Sequence, residues 1–541
     1  RGNLDMLVWC RDQGCPWDGV ECAAAAASKG HTHVIQWCHE QGAAFMAGVH
    51  GRLTGQPCVC LGTLGPGATN LLTGVADADM DNAPLIVITG QAGADRLHKE
   101  SHQVMDVGAL FAPVVKWSVT IRAPETIPEI VRKAVRLARG EKPGAVHIEL
   151  PEDVAGRTTD AGPLAPRRFR RPGPDPDALH DAWSRIRGAR RPIIVAGNGA
   201  VRSRASQALR AFCEVTGIGA LSTFMGKGAL DLDDPRCLFS IGLQQRDHAA
   251  LAIAAADLVI AVGYDLVEYP PALWNPQGET PVVHVDFDPA EIDRCYAPAA
   301  EIVGDVAAAV QALTEAARRD GPGEWDFSGQ ARLRETMLAE FAAHADDDAP
   351  RVKPQKAVWE VRRALGPDDV LLCGVGAHKM WVGRHYHCHA PNTCLIPNGF
   401  CAMGMPLPGA LAAARALPGR RILALCGDGD FMMNVQEMET ISRLGADVTA
   451  MVWEDGGYGL ISWKQDETFG RHTDLSFGSP DWAALGQAFG WRVWQVEGST
   501  ALRDDLAAAL AHPGPSLVVV PIDYRENAKL SERLGALETT L

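Results

Sequence analysis

The sequence predicts an α/β protein of three domains, each built on a parallel sheet. Three observations carry this reading. Short apolar runs suited to buried strands alternate with stripes of helical period in three successive blocks. Two more polar stretches, 157–182 and 321–353, separate the blocks. In the last block two apolar runs each end in an acidic glycine turn, Gly427-Asp428-Gly429 and Glu454-Asp455-Gly456-Gly457, which parallel strands would bring to one sheet edge. A chain of 541 residues is long enough for three such cores.

The expected domains are residues 1–156, 183–320 and 354–541. Residues 1–38 show no clean period, although the alanines at 23–27 could start a helix. From His39 the pattern sharpens. Residues 40–53 form a helix of small side chains suited to close packing, and 58–62 a strand. Gly65-Pro66-Gly67-Ala68-Thr69-Asn70 then turns into the next helix, and 84–90 and 145–150 are further strands. The stretch 157–182 is rich in proline and arginine and is expected to be a linker. Strands at 192–197, 258–263 and 282–286 build the second domain. Its Gly197-Asn198-Gly199-Ala200 turn lacks the third glycine of a dinucleotide fingerprint and is expected to be a plain turn. After a polar helical connector, 321–353, the third domain has strands at 370–374, 422–426, 448–453 and 516–521. A helix at 434–444 carries Val435, Met438, Ile441 and Leu444 on one stripe.

Composition narrows the function. The chain is 47% hydrophobic and 22% charged, as soluble globular proteins are, and its net charge of −15 argues against general nucleic-acid binding. No apolar run approaches the roughly 20 residues of a membrane span, and the start lacks a basic segment followed by an apolar one. The 14 cysteines form no C-x-x-C pair and sit mostly in apolar runs, which suits reduced thiols in a cytoplasmic protein. The run His385-Tyr386-His387-Cys388-His389 is expected to be ordinary structure, with a Zn2+ or Ni2+ site as the second reading.

The two acidic turns carry the chemistry. Asp428 and Asp455 would converge on one hard cation, and glycines without side chains let a phosphate approach the backbone. Gly-Asp-Gly followed by a second acidic glycine turn resembles the signature of the thiamine-diphosphate enzymes. The resemblance implies that Asp428, Asp455 and the carbonyl of Gly457 hold Mg2+ on the diphosphate, with Gly429 and Asp430 beside it. His39-Glu40-Gln41-Gly42-Ala43-Ala44 is similar to the segment whose glutamate serves the pyrimidine ring, which makes Glu40 the catalytic residue. That role demands a desolvated carboxylate. Gly65, Pro66 and Asn70 match the turn beside it. Gly376, Ala377, His378 and Met403 match segments that line the cofactor in acetolactate synthases, Met403 as the wedge under it. Gln103 matches a substrate-pocket segment.

Gly263-Tyr264-Asp265 with Glu268-Tyr269, Trp274-Asn275 and Val303-Gly304-Asp305 resembles the catabolic acetolactate synthases, which implies no bound FAD. The implied reaction decarboxylates pyruvate and joins the fragment to a second 2-keto acid, giving 2-acetolactate and CO2. The alternatives are another 2-keto-acid decarboxylase or carboligase of this family, or a cofactor-binding protein without activity. The family also implies a homodimer or homotetramer in which Glu40 serves the cofactor of the other subunit. Two departures stand out. Asp455 occupies a position where asparagine is usual, which predicts a tighter dependence on the divalent ion. Before His39 the chain lacks the strand–helix start of its relatives, as a truncation or misread start would produce.

Overall fold

The computed structural model describes residues 40–165, 170–202, 204–242, 248–527 and 530, so the expectations for residues 1–39 lie outside the described residues. Among the described residues there are three sheets, and neighbouring strands in all of them run parallel. The first has four strands in the order β1-β2-β4-β3: β1 (Cys58–Gly62), β2 (Leu85–Gln91), β3 (Trp117–Thr120) and β4 (Ala145–Pro151). The second runs β10-β9-β8-β5-β6-β7, from β5 (Pro192–Ala196), β6 (Ala220–Ser222), β7 (Cys237–Ser240), β8 (Leu258–Val262), β9 (Val282–Asp286) and β10 (Ala300–Val303). The third runs β12-β11-β13-β14-β16-β15, from β11 (Val370–Cys373), β12 (Cys394–Leu395), β13 (Ile422–Gly427), β14 (Thr449–Glu454), β15 (Arg492–Gln495) and β16 (Ser516–Pro521). Central strands such as β5, β8 and β9 are buried at every position, as continuous apolar runs in two-sided parallel sheets should be.

The helix Glu40–Thr54 contains three glycines, which weaken a helix in isolation. Packing supplies its stability. A Cβ at Gly74 of the neighbouring helix Pro66–Met80 would lie 2.6 Å from Ala44 Cβ, and one at Gly48 would lie 3.2 Å from Ala78 Cβ. On its other side Phe45 and Val49 join Leu372, Met405, Leu411 and Ala424 in a core cluster of the third sheet. The first unit is therefore welded to the third by apolar burial. Asp81 and Asn82 complete the junction. Asp81 Oδ1 accepts from the Asn398 and Gly399 amides at 3.3 and 2.8 Å, Asn198 Nδ2 donates to the Asp81 carbonyl at 2.8 Å, and Asn82 Nδ2 donates to Asp265 Oδ2 at 3.0 Å. Lys142 pairs with both Asp265 and Asp286.

Several elements differ from the sequence reading. The helix Ser328–Ala342 sits in the stretch expected to be a connector, yet Leu333, Met337 and Phe341 enter the central core. Their i, i+4, i+8 spacing is one narrow stripe in an otherwise polar segment. The helix Pro176–Gly188 begins inside the expected linker, because Asp175 caps it by accepting from the Asp177 and Ala178 amides at 3.0 Å. The helix expected at 434–444 spans only Glu437–Arg443, since the chain is already helical at Asp428–Met432. The run His385–His389 does not converge. His385 lies against Phe341 and Trp381 with its Nε2 3.8 Å from Glu340; one ring nitrogen of His387 pairs with the Arg384 carbonyl; and His389 meets two different carboxylates, Asp231 and Asp233. The helix ends at His385, so His387 and His389 lie on the chain beyond it.

Candidate active site

β11, β13, β14 and β16 are adjacent and parallel, so their carboxyl ends share one edge. Asp428 ties two of them together there. Its Oδ1 accepts from the Gly429 amide at 2.7 Å, while Oδ2 accepts from the Asp455 and Gly456 amides at 3.2 and 2.7 Å. Gly456, at φ +74°, takes the left-handed turn this requires. Glu454 is held by the Trp482 indole, which donates to its Oε1 at 2.8 Å, and Asp428 is the charged group that acts most strongly on Asp455. Burial, then the neighbouring Asp428, push the Asp455 carboxyl up to about 7; Asp428 is itself raised, chiefly by burial. Two crowded carboxyl groups that resist ionising are what a divalent cation relieves.

Asp430, two residues on, turns inward. Its Oδ1 accepts from the Gly404 amide at 2.7 Å, and Asn434 Nδ2 donates to the Gly404 carbonyl at 2.9 Å. Gly404, at φ +90°, is thus clamped from both sides, which fixes the half-buried Met403 before it. His378, near the start of the helix Ala377–His385, lies folded over glycines: a Cβ at Gly427 would be 3.1 Å from its Nδ1, and one at Gly376 2.8 Å from its Cε1. Its Nε2 stands 3.7 Å from Asp430 Oδ2, and both atoms are buried without a hydrogen-bond partner among the described residues.

A second group forms at the first sheet. Asn70 Nδ2 donates to Glu40 Oε2 at 3.2 Å, and a Cβ at Gly67 would stand 3.4 Å from Glu40 Oε1. Gly65, at φ +61°, starts the helix opened by Pro66 and packs on Gln103: a Cβ there would lie 2.9 Å from Gln103 Cβ. Gln103 itself has φ +60°, uncommon for a residue with a side chain. Glu40, Gly65, Pro66, Asn70 and Gln103 are therefore one neighbourhood. Asp428, Asp430, Asp455, Gly457, Gly376, Ala377, His378 and Met403 belong to the other. Among the described residues no hydrogen bond or ion pair joins Glu40 to Asp428 or Asp455. Glu40 is only half-buried, drier surroundings having been expected; this chain alone does not cover it.

Sequence reading missed three aromatic residues. Tyr458 and Phe477 meet edge to face at 5.1 Å and wall the open face of Gly429, and Tyr524 follows β16 at the same edge. Their signal was position: each lies just past or beside a turn at the carboxyl edge. The central-domain turn at 197–200 is closed on itself. The Gly197 and Gly199 amides go to the Val262 and Gly263 carbonyls, and the Asn198 amide is held by both oxygens of Glu268 at 3.0 Å.

The residues at the third sheet's edge suit a diphosphate held through a divalent cation: paired carboxyl groups, glycine turns open to close approach, and buried polar atoms of His378 and Asp430 still without partners. Comparison with known proteins agrees. Three family models match in order: thiamine pyrophosphate enzyme, N-terminal TPP binding domain, at residues 14–110; the central domain at 179–313; and the C-terminal TPP binding domain at 374–520. The chain is 32% identical to the acetolactate synthase of Bacillus subtilis (strain 168) over 522 residues, 96% of this chain and 91% of that protein. It is 32% identical to the catabolic acetolactate synthase of Raoultella terrigena over 506 residues, 93% and 90% of the two chains. It is 31% identical to the acetolactate synthase large subunit of Parasynechococcus marenigrum (strain WH8102) over 515 residues, 93% and 82%. The chain belongs to the thiamine pyrophosphate enzymes, and within them it is similar to the acetolactate synthases.

Proposed function

We propose that this protein is a carboligase of the acetolactate synthase type, which decarboxylates pyruvate and joins the two-carbon fragment to a second 2-keto acid, giving 2-acetolactate and CO2. The observation that carries this is the Asp428–Asp455 pair at adjacent strand ends, in a chain similar over nine-tenths of its length to acetolactate synthases. Bound thiamine diphosphate would supply the carbon nucleophile and the electron sink for decarboxylation. Asp428, Asp455 and the Gly457 carbonyl hold Mg2+ and, through it, the diphosphate, beside Gly429, Gly376 and Ala377. Met403, fixed by the clamp on Gly404, sets the shape of the cofactor's bed, and His378 lines it. Glu40, oriented by Asn70, shares a proton with the ring nitrogen of the aminopyrimidine. Gln103, beside Gly65 and Pro66, faces the substrate end.

Geometry supports two further parts of the reading. FAD is proposed not to be a cofactor, as the resemblance to the catabolic acetolactate synthases implies; that the amides of residues 197–199 are engaged by Glu268 and by backbone carbonyls supports this. The working form is a homodimer or homotetramer with shared sites. Glu40 is left half-covered by its own chain, and Met80, Phe400, Met432, Met433 and Tyr458 near the two groups are at least 40% exposed. No helix among the described residues is long and apolar enough to cross a membrane, which fits the proposed cytoplasmic location. The domain bounds remain those proposed from the sequence, 1–156, 183–320 and 354–541, with the helices Pro176–Gly188 and Ser328–Ala342 packing on the central core.

The test is incubation with pyruvate, Mg2+ and thiamine diphosphate, scoring 2-acetolactate against free acetaldehyde. Acetolactate as main product is expected; acetaldehyde alone would make the protein a decarboxylase, and the formation of no product would refute the assignment.

A further inference from the structure

Tyr524 stands at the edge of the site with no role so far assigned. It lies three residues beyond the end of β16, so it reaches the edge that carries Asp428 and Asp455 from a third strand. Its ring is held in place: the centroid is 6.3 Å from that of Trp453, and a Cβ on Gly459 would come within 3.6 Å of Tyr524 Cδ2. That same Cβ would stand 2.5 Å from Asp455 Oδ2, so the glycine leaves the phenol ring and the Asp455 carboxyl side by side. The Tyr524 hydroxyl is buried and has no hydrogen-bond partner among the described residues. The charged groups that act on it most strongly are Asp455 and then Asp428.

A buried hydroxyl without a partner is rare and costly in a folded protein. Here it coincides with a pair of crowded carboxyl groups and with the unpartnered atoms of His378 and Asp430. A rigid donor beside the place where negative oxygens would be gathered accounts for the unpartnered hydroxyl. We infer that Tyr524 is a further anchor of the cation–diphosphate unit, donating its hydroxyl hydrogen to one of that unit's oxygens beside Asp455. This rests on the cofactor site proposed above. The clamp then draws on three neighbouring strand ends, those of β13, β14 and β16.

The test compares the full chain with its Tyr524→Phe variant, which keeps the ring and removes the oxygen. Binding of thiamine diphosphate, and separately of inorganic pyrophosphate, is followed in Mg2+ by quenching of tryptophan fluorescence. The melting midpoint of the ligand-free variant should match or slightly exceed that of the wild type, since an unsatisfied hydroxyl has gone. The dissociation constants of both ligands should rise by about fivefold, the worth of one hydrogen bond. Equal affinities in the two chains would overturn the inference. So would weakening for thiamine diphosphate alone, because the hydroxyl would then act away from the diphosphate. If the wild type bound neither ligand, the proposed cofactor site itself would fall.

Discussion

Replacing Asp455 with asparagine tests the cation site most directly. In the empty site this carboxyl is raised from 3.8 to about 7 by burial and by Asp428. That rise corresponds to about 4 kcal/mol, at about 1.4 kcal/mol per pH unit, for ionising it without a cation. The folded chain therefore holds the proton more tightly than the unfolded chain. This carboxyl's contribution to the stability of the ligand-free protein is fully present below about pH 4 and is lost as pH climbs through about 7. Asp455→Asn has no proton to lose, so its empty form should gain on the order of 2–4 kcal/mol over the wild type at pH 8 and little at pH 4. Cation binding should show the mirror image. Below about pH 7 the wild type must release the Asp455 proton to bind Mg2+, so half-saturation should move about tenfold per pH unit from this group alone. The variant should lack that contribution, and above pH 7 it should bind Mg2+ more weakly for want of one charge. The assay is a Mg2+ titration of thiamine diphosphate binding between pH 5.5 and 8.5, with urea unfolding of the empty chains alongside. Parallel pH slopes in the two proteins would refute the reasoning.

Three other expectations follow from the same geometry. Glu40→Gln should lower turnover by at least about a hundredfold, the range for loss of a proton-transfer group, while thiamine diphosphate affinity changes little; full activity would remove Glu40 from the mechanism. Gly374→Ala would drive a Cβ into Asp430 Oδ2, the carboxyl that holds Gly404. It should cost about 1–3 kcal/mol in urea unfolding and weaken cofactor binding as well. Burial, then the nearby Asp265, raise Glu268 from 4.5 to about 8. Stability should therefore fall as pH rises from about 5 through 8, by up to about 1.4 kcal/mol per unit, and Glu268→Gln should flatten that decline in unfolding midpoints taken at pH 5, 7 and 9.

The chemistry of the third domain was legible because it is written locally. A buried strand, a Gly-Asp-Gly turn and a second acidic turn occupy one short stretch, and parallel pairing alone brings the turns together. The contacts that aim these residues were not legible. Asp430 looked like a cofactor ligand from its place in the turn, yet one of its oxygens reaches back to Gly404, 26 residues earlier. The resemblance already singled out Asp455 over Glu454; what holds Glu454, the Trp482 indole 28 residues on, was not legible. Edge and short strands escaped for a related reason. β15 is exposed at its first and last positions and β12 is two residues long, so neither makes an apolar run. The central domain's helical flanks were hidden by polar surfaces that needed only Leu333, Met337 and Phe341 to dock.

The packing around Glu40 also bears on how many chains make one site. Phe45 and Val49, on the helix that Glu40 begins, are buried in the core of the third sheet, and a side chain at Gly42 would overlap the Glu437 carboxyl. Glu40 thus cannot swing far relative to its own Asp428 without breaking that core, yet it makes no bond to the Asp428 group and keeps an open side. If a second copy completes the site, each Glu40 serves the Asp428 and Asp455 of its partner. Mixing Glu40→Gln and Asp428→Asn chains, each inactive alone, discriminates this arrangement sharply. Random pairing makes about half the dimers mixed, and by two-fold symmetry each mixed dimer holds one site with both residues intact and one with neither. The mixture should regain about a quarter of wild-type activity. Were Glu40 to act within its own chain, every site would carry one lesion, and the mixture would stay as inactive as its components.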